Sequence, residues 1–505
     1  MKTNTSYICI FLLLASTVLF SCGSGKTYYV DNLDGSDSNS GRSPKKAWKS
    51  VARVNKEDFA PGAKIMFRAG QLFEGTVKFS SEDSGTSIDW ITLSSFGGER
   101  ATISGGENPA IVIDSTQYVL VINLNCSGNG RKSGNTTSGL IVQDGMDIHI
   151  DSIEVSGFQK SGIDIRKAEN VKITHVHAHD NGFAGISTRT YPEINIKNVY
   201  IAHCLTENNP GDPTVLNNHS GSGILLCGVD GGTVEYCRAT NNGWDQPWEG
   251  NGPVGIWAWN CNKIVIQHCI AHNNRTNPKG YDGGGFDFDG GVTNSILQYN
   301  YSYNNAGPGY ALFQFAGAGI WNNNIVRYNI SVNDARLSKR GGIHVWVGQA
   351  KNPHYFKALM GNALVYNNVI INDSGYSIYY KTAADVPGIR YYNNIFVSEK
   401  QPIEGDTGKS FFYRNLFWRF DGEPIKRKID ERGIYADPLV RIPENIVVEL
   451  KDPTQIQTLD AYKLLKDSPC ISQGRIIKNN GGKDFWGTEL PGESQKPDIG
   501  AYQTK

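Results

Sequence analysis

Gly255-Ile256-Trp257-Ala258-Trp259 and Gly285-Phe286-Asp287-Phe288-Asp289 are two copies, 30 residues apart, of one pattern. A glycine opens a short segment in which apolar residues occupy every second place. Alternation of this kind marks a β-strand with one buried face. The pattern recurs at Gly139, Gly162, Gly185, Gly223, Gly309 and Gly342, in steps of 23, 23, 38, 32, 30, 24 and 33 residues from Gly139 to Gly342. The shortest steps define a coil of about two dozen residues, and the longer ones add insertions of up to about fifteen. A unit repeated at that period, too short to bury a core alone, stacks into a solenoid.

A second repeat precedes the first in each coil. It reads Ile201-Ala202-His203-Cys204, Val234-Glu235-Tyr236-Cys237, Ile266-Gln267-His268-Cys269, Leu297-Gln298-Tyr299-Asn300, Val326-Arg327-Tyr328-Asn329, Val365-Tyr366-Asn367-Asn368 and Arg390-Tyr391-Tyr392-Asn393-Asn394. Its last position is a ladder of small polar residues, where stacked Asn side chains can satisfy the backbone of a buried turn. Cys204, Cys237 and Cys269 occupy the same ladder and read as buried fillers rather than metal ligands. His175, His177 and His179 alternate along one further strand, which suits an exposed strand better than a zinc site.

Composition narrows the function. Lys plus Arg and Asp plus Glu balance at 49 each, so the chain lacks the basic surface of a nucleic-acid binder. Lys2, the apolar run 7–20 and Leu19-Phe20-Ser21-Cys22 read as a signal peptide over 1–21 ending in a lipobox, with Cys22 as the lipidated residue of an outer-membrane lipoprotein facing the surface or the periplasm. Residues 22–505 then form a single monomeric domain: an entry cap over about 27–100, coils over about 101–400 and a closing segment over about 401–505.

These features resemble the right-handed parallel β-helix proteins of carbohydrate-degrading bacteria. Tyr28 to Gly41, Pro44, Trp48 and Pro61-Gly62 look like the entry segment of such helices. Ala436-Asp437-Pro438-Leu439, Asp467-Ser468-Pro469 and Asp498-Ile499-Gly500-Ala501-Tyr502 look like the exit segment. The fold class expected is all-β, a capped solenoid. The resemblance extends to polysaccharide lyases and to an oligosaccharide dehydratase of marine ulvan breakdown, and it implies an acidic polysaccharide or oligosaccharide as partner.

Alternation places a second set of side chains on the outer face of the strand. Rung by rung they are Asp164/Arg166, Ser187/Arg189, Leu225/Cys227, Trp257/Trp259, Asp287/Asp289, Ala311/Phe313, His344/Trp346 and Tyr379/Lys381. With rungs ~4.8 Å apart they make one outward ribbon. Insertions at 208–222, 241–253, 275–284 and 336–341 immediately precede these strands and should wall the ribbon into a groove. Trp257, Trp259, Trp346 and Tyr379 are candidates to stack on sugar rings, and Arg166 and Arg189 to grip a carboxylate or sulfate.

Asp287 and Asp289 leave the strand on one face, ~6.6 Å apart along the backbone. Three chemistries fit. In elimination from a uronate, Asp282, Asp287 and Asp289, with Asp245 or Glu249, hold calcium that neutralises the substrate carboxylate, and His344 or Lys381 removes the adjacent proton. In dehydration, Asp289 or Tyr379 protonates a departing hydroxyl. In glycoside hydrolysis, Asp287 and Asp289 are acid and base, although the motifs of β-helical polygalacturonases are missing. Elimination by a carbon–oxygen lyase is the reading the resemblance favours; hydrolysis is its enzymatic rival, and a non-catalytic glycan-binding surface protein the rival from another class.

Overall fold

The computed structural model describes residues 25–348, 360–382, 388–492 and 494–504. The proposed signal peptide and Cys22 lie outside them. The chain is a right-handed parallel β-helix. Its named strands pair in parallel, each with the equivalent strand one coil away, and they form two sheets of 25 and 12 strands. The larger sheet holds two faces of the coil. They are joined through the 12-residue strands Gln117–Gly128 and Gly145–Ser156, which turn a corner at the left-handed residues Asn123 and Ser152.

The smaller sheet carries the ribbon. It climbs from Val77–Phe79 through Ser161–Ile165, Ala184–Thr188, Ser222–Cys227, Val254–Trp259, Gly284–Phe288, Tyr310–Gln314, Gly341–Val347 and Tyr376–Thr382 to Ile403–Glu404. Its register is the one alternation predicts. Leu225 pairs with Trp257, Trp257 with Asp287, Asp287 with Ala311, Ala311 with His344 and His344 with Tyr379, while Trp346 pairs with Lys381. Ile256, Ala258, Phe286, Phe288, Ile343 and Val345 point into the continuous core.

Two amide ladders hold the corners. In the first, Cys269 N–H donates to Asn300 Oδ1 at 3.0 Å, and amide-to-amide bonds of 2.9–3.1 Å continue through Asn329, Asn368, Asn394 and Asn415 to Asp430. The residue before each ladder position has left-handed backbone: His203, Tyr236, His268, Tyr299 and Tyr328 all have φ near +50°. That conformation costs a bulky residue about 1–2 kcal/mol. Stacking offsets part of it, with His203, Tyr236, His268 and Tyr299 forming a pile of rings 5.0–5.2 Å apart.

The second ladder runs Asn181, Asn209, Asn242, Asn274, Asn305, Asp334 with bonds of 2.8–3.1 Å. It explains part of the glycine repeat. A Cβ on Gly255 would come within 2.8 Å of Asn274 Nδ2, and one on Gly309 within 2.5 Å of Asp334 Oδ2. At Gly162, Gly255, Gly285 and Gly309 the strand opens with glycine because the ladder packs against its backbone, whereas at Gly185 and Gly223 a Cβ would meet Thr206 and the carbonyl of the next strand.

The expected boundaries shift. Coiling begins at Thr27–Val30, which pairs with Lys64–Arg68, so the expected entry cap over 27–100 is largely solenoid. At the other end Leu416–Arg419 is still a rung. The closing segment does more than cover that rung. It returns along the coils, where Tyr301 Oη donates to Val448 O at 2.9 Å and Arg327 to Asn479 O at 2.9 Å. Ile456, Tyr462, Phe485 and Ile499 make a second core there with Tyr301, Ile330 and Val369.

Asn305→Ala should lower the midpoint of urea unfolding, with a loss of at least about 2 kcal/mol, because it strands two donors of Asn274 in the interior and removes one of the bonds that Asp334 accepts. A variant as stable as the parent would remove the ladder from the account.

Candidate active site

The insertions convert the ribbon into a cavity. Residues 241–253 and 275–284 are zipped by Tyr281 N–H to Gly250 O at 2.8 Å, Gly283 N–H to Pro253 O at 2.9 Å and Gly252 N–H to Asp282 Oδ2 at 2.8 Å. The result is a cavity of about 600 Å³, within the range of small-ligand sites. Of the candidates for chemistry, Asp282, Asp287, Asp289, His344, Lys381, Trp257, Trp259 and Trp346 all line it. They are joined by residues that periodicity did not flag: Tyr191, His219, Tyr281, Phe315 and Arg340.

The ribbon is outward but not open to solvent. Asp287 and His344 are 2% and 3% exposed, and Trp257 is buried with Leu225 and Val254 while its Nε1 donates to Ser222 Oγ at 3.1 Å. Trp259 and Trp346 are half-buried. Several polar atoms are buried in the wall without a hydrogen-bond partner: Asp287 Oδ1, His344 Nε2, His219 Nδ1 and Trp259 Nε1. Unmet polar groups in a walled cavity favour a polar ligand that supplies their partners.

Three carboxylates share this space, and water exclusion makes their charges costly. Burial, with the charges of Asp289 and Asp282, pushes Asp287 well above the usual carboxylate range and keeps it protonated. Asp289 is half-buried; burial and Asp282 raise it to about 7 although Gly290 N–H donates to its Oδ1 at 2.7 Å. Asp282 has left-handed backbone, φ +63°, and is raised by burial to about 6, moderated by Gly252 N–H and Arg340. Two of the three therefore change protonation near neutrality, and both reach the cavity.

Several sequence expectations are corrected. Arg166 and Arg189 are engaged in an ion pair and do not line the cavity. Both donate to the fully buried Asp164, Arg189 through Nε at 3.0 Å and Arg166 through Nε at 3.0 Å, and hold its carboxyl below its ordinary value against burial. Burial, with Arg340 and Lys381, lowers His344 to about 3, so its imidazole is neutral and only weakly basic, which weakens the expectation of a general base there. Tyr379 packs edge-on against His344 at 5.1 Å rather than lining the cavity. Lys381 keeps its aligned rung and stands exposed, its Nζ 5.4 Å from the Tyr281 ring.

The expected calcium ligands do not assemble. Asp245 is taken by Arg131 and by Lys132 at 2.6 Å, and Glu249 by Lys279 at 3.0 Å. Among the described residues no three His, Cys, Asp or Glu converge to hold a metal, and Asp282, Asp287 and Asp289 are not such a group. His175 and His177 each reach one carboxylate, at 2.9 and 3.0 Å, and His179 reaches two.

A family model described as "Right handed beta helix region" matches residues 109–252 and 212–357. A curated relative, the lacto-N-biosidase of Bifidobacterium longum subsp. longum, is 21% identical over 95% of this chain, which spans only 36% of that relative's length. The GH136 lacto-N-biosidase structure from Eubacterium ramulus matches with TM-score 0.50 and 18% identity, over 72% of this chain and 67% of that one. A PL6 family alginate lyase matches with TM-score 0.50 and 17% identity, over 85% of this chain and 58% of that one. At this identity the two structures bear on the fold alone. The expectation of β-elimination is overturned by the curated relative, a glycoside hydrolase aligned along nearly the whole chain.

Because the folded pKa of Asp287 lies above its unfolded value, its contribution to stability is present at low pH and lost as pH rises. Asp287→Asn should therefore melt higher than the parent at about pH 8 and lose that advantage at about pH 4. Arg189→Ala should instead destabilise at neutral pH, by about 2–3 kcal/mol, by weakening the neutralisation of buried Asp164. Thermal melts across pH check both.

Proposed function

We propose that this chain is a glycoside hydrolase, anchored at the outer membrane through Cys22, that cleaves an oligosaccharide bound across Asp282 and Asp289. The observation that carries the reading is the cavity in which these two half-buried carboxyls are raised to about 6 and about 7 beside a third that burial keeps neutral. Hydrolysis of a glycosidic bond needs one carboxylic acid to protonate the leaving oxygen and one carboxylate to attack or to activate water. Asp282 titrates lower and supplies the carboxylate. Asp289 keeps its proton to higher pH and supplies the acid. Asp287, unlike its assignment from alternation, is a buried neutral hydrogen-bonding group toward the substrate.

Support comes from the lacto-N-biosidase relative, whose alignment spans the cavity strands. Trp259 fits a sugar platform, with Tyr191 5.0 Å and Phe315 6.2 Å from its ring. A binding module would have no use for carboxyls kept at a cost in stability with pKa values near neutrality.

Asp282→Asn and Asp289→Asn should each lower kcat/KM about a thousandfold, and Asp287→Asn by no more than about tenfold. Activity should fall below about pH 6 as Asp282 gains a proton and above about pH 7 as Asp289 loses one. The two titrate as a coupled pair, so the limbs belong to both. Reducing-sugar release from an oligosaccharide panel measures these effects; full activity in Asp289→Asn would sink the assignment. Radiolabelled palmitate, incorporated by the parent and not by Cys22→Ser, tests the anchor separately.

A further inference from the structure

The cations around the site divide into two kinds. Arg166 and Arg189 are spent on Asp164, Lys160 on Asp212, Arg131 and Lys132 on Asp245, and Lys279 on Glu249. Arg340 and Lys381 form no ion pair among the described residues, and both line the cavity. They meet over one ring: Arg340 Cζ is 5.1 Å and Lys381 Nζ 5.4 Å from the centroid of Tyr281. Both depress His344, so both act on the same part of the cavity.

Two like charges against one ring repel each other, and neither is buried: Lys381 stands exposed and Arg340 half-buried. Arg340 moderates Asp282, yet the pair still lacks a carboxylate in direct contact. An anion between them would supply it, and Tyr281 offers an apolar face beside it. We propose that Arg340, Lys381 and Tyr281 form an anion subsite that binds a carboxylate or sulfate group of the sugar chain. The assignment rests on the hydrolase reading, because it orients that chain across the aspartates.

Register gives the orientation. Lys381 stands three rungs above Asp287, by way of Ala311 and His344, whereas Trp259 stands one rung below on the strand paired with that of Asp287. At ~4.8 Å per rung these ends lie about four rungs apart, room for more than one sugar unit. The cavity thus has a cationic end and an aromatic end, formed by Tyr191, Trp259 and Phe315, with the carboxyls between. The charged sugar lies on the upper side of the cleaved bond, and a ring stacked on Trp259 on the lower.

The test is calorimetric titration of the Asp289→Asn protein with uronic-acid oligosaccharides and their carboxyl-reduced counterparts, and with sulfated oligosaccharides and their desulfated counterparts. At least one charged member should bind about tenfold or more tightly than its neutral partner, and the preference should vanish in a protein that also carries Arg340→Gln and Lys381→Gln. Circular dichroism establishes that this variant is folded, and added salt should weaken the charged ligand alone in the Asp289→Asn protein. Equal binding of both members of every pair, no binding by any, or a preference that survives in the multiple variant would overturn the subsite. Charge-selective binding with no hydrolysis by the parent would leave the subsite and remove the hydrolase. Hydrolysis without charge preference would do the reverse.

Discussion

A side-chain amide at the corner of one coil accepts from the backbone and the amide of the coil before it, and by doing so fixes where each next strand begins. The line from Asn181 through Asn209, Asn242, Asn274 and Asn305 to Asp334 lies against Gly162, Gly255, Gly285 and Gly309, four of the glycines that open ribbon strands. There is no room for a Cβ there, and a strand cannot slide by one residue without driving a side chain into the ladder. The spacing of functional groups follows from this. Trp257, Asp287, Ala311, His344 and Tyr379 occupy one column in parallel register, and the ladder pins the rungs of the first three.

On that rigid column the insertions create the electrostatics. An outward aspartate on a bare sheet face would be solvated and fully ionised. Here the segments 241–253 and 275–284, tied together by backbone bonds and by Asp282, wall the column and restrict its contact with water. Three carboxyls that cannot all ionise in such a space spread their proton affinities, which is the condition acid–base catalysis requires. The solenoid supplies stability through its long core, so one short stretch of wall can be electrostatically unfavourable without unfolding the chain.

Much of this was legible in the sequence because a two-residue period and a repeated glycine leave little freedom. The inward and outward sets, the Cys and Asn ladder and the placement of Lys381 opposite Trp346 follow from alternation alone. Burial was not legible. Alternation says which face Asp287 points to, and only the folded insertions say that the face is covered. The second ladder was visible as the doublets Asn208-Asn209, Asn241-Asn242, Asn273-Asn274 and Asn304-Asn305, yet its role depends on glycines one turn away. Arg340, Tyr281 and His219 come from insertions, where no period exists to place them. Arg166 and Arg189 show a further limit: correctly placed on the ribbon, they pair with a buried neighbour, Asp164, which alternation could not reveal.

The central claim is that water, delivered across Asp282 and Asp289, breaks a glycosidic bond. Mass spectrometry of the products formed in heavy-oxygen water tests it most directly. The account predicts one labelled oxygen at the newly formed reducing end and no product absorbing in the near ultraviolet. Cleavage products without label, carrying a conjugated double bond, would contradict it.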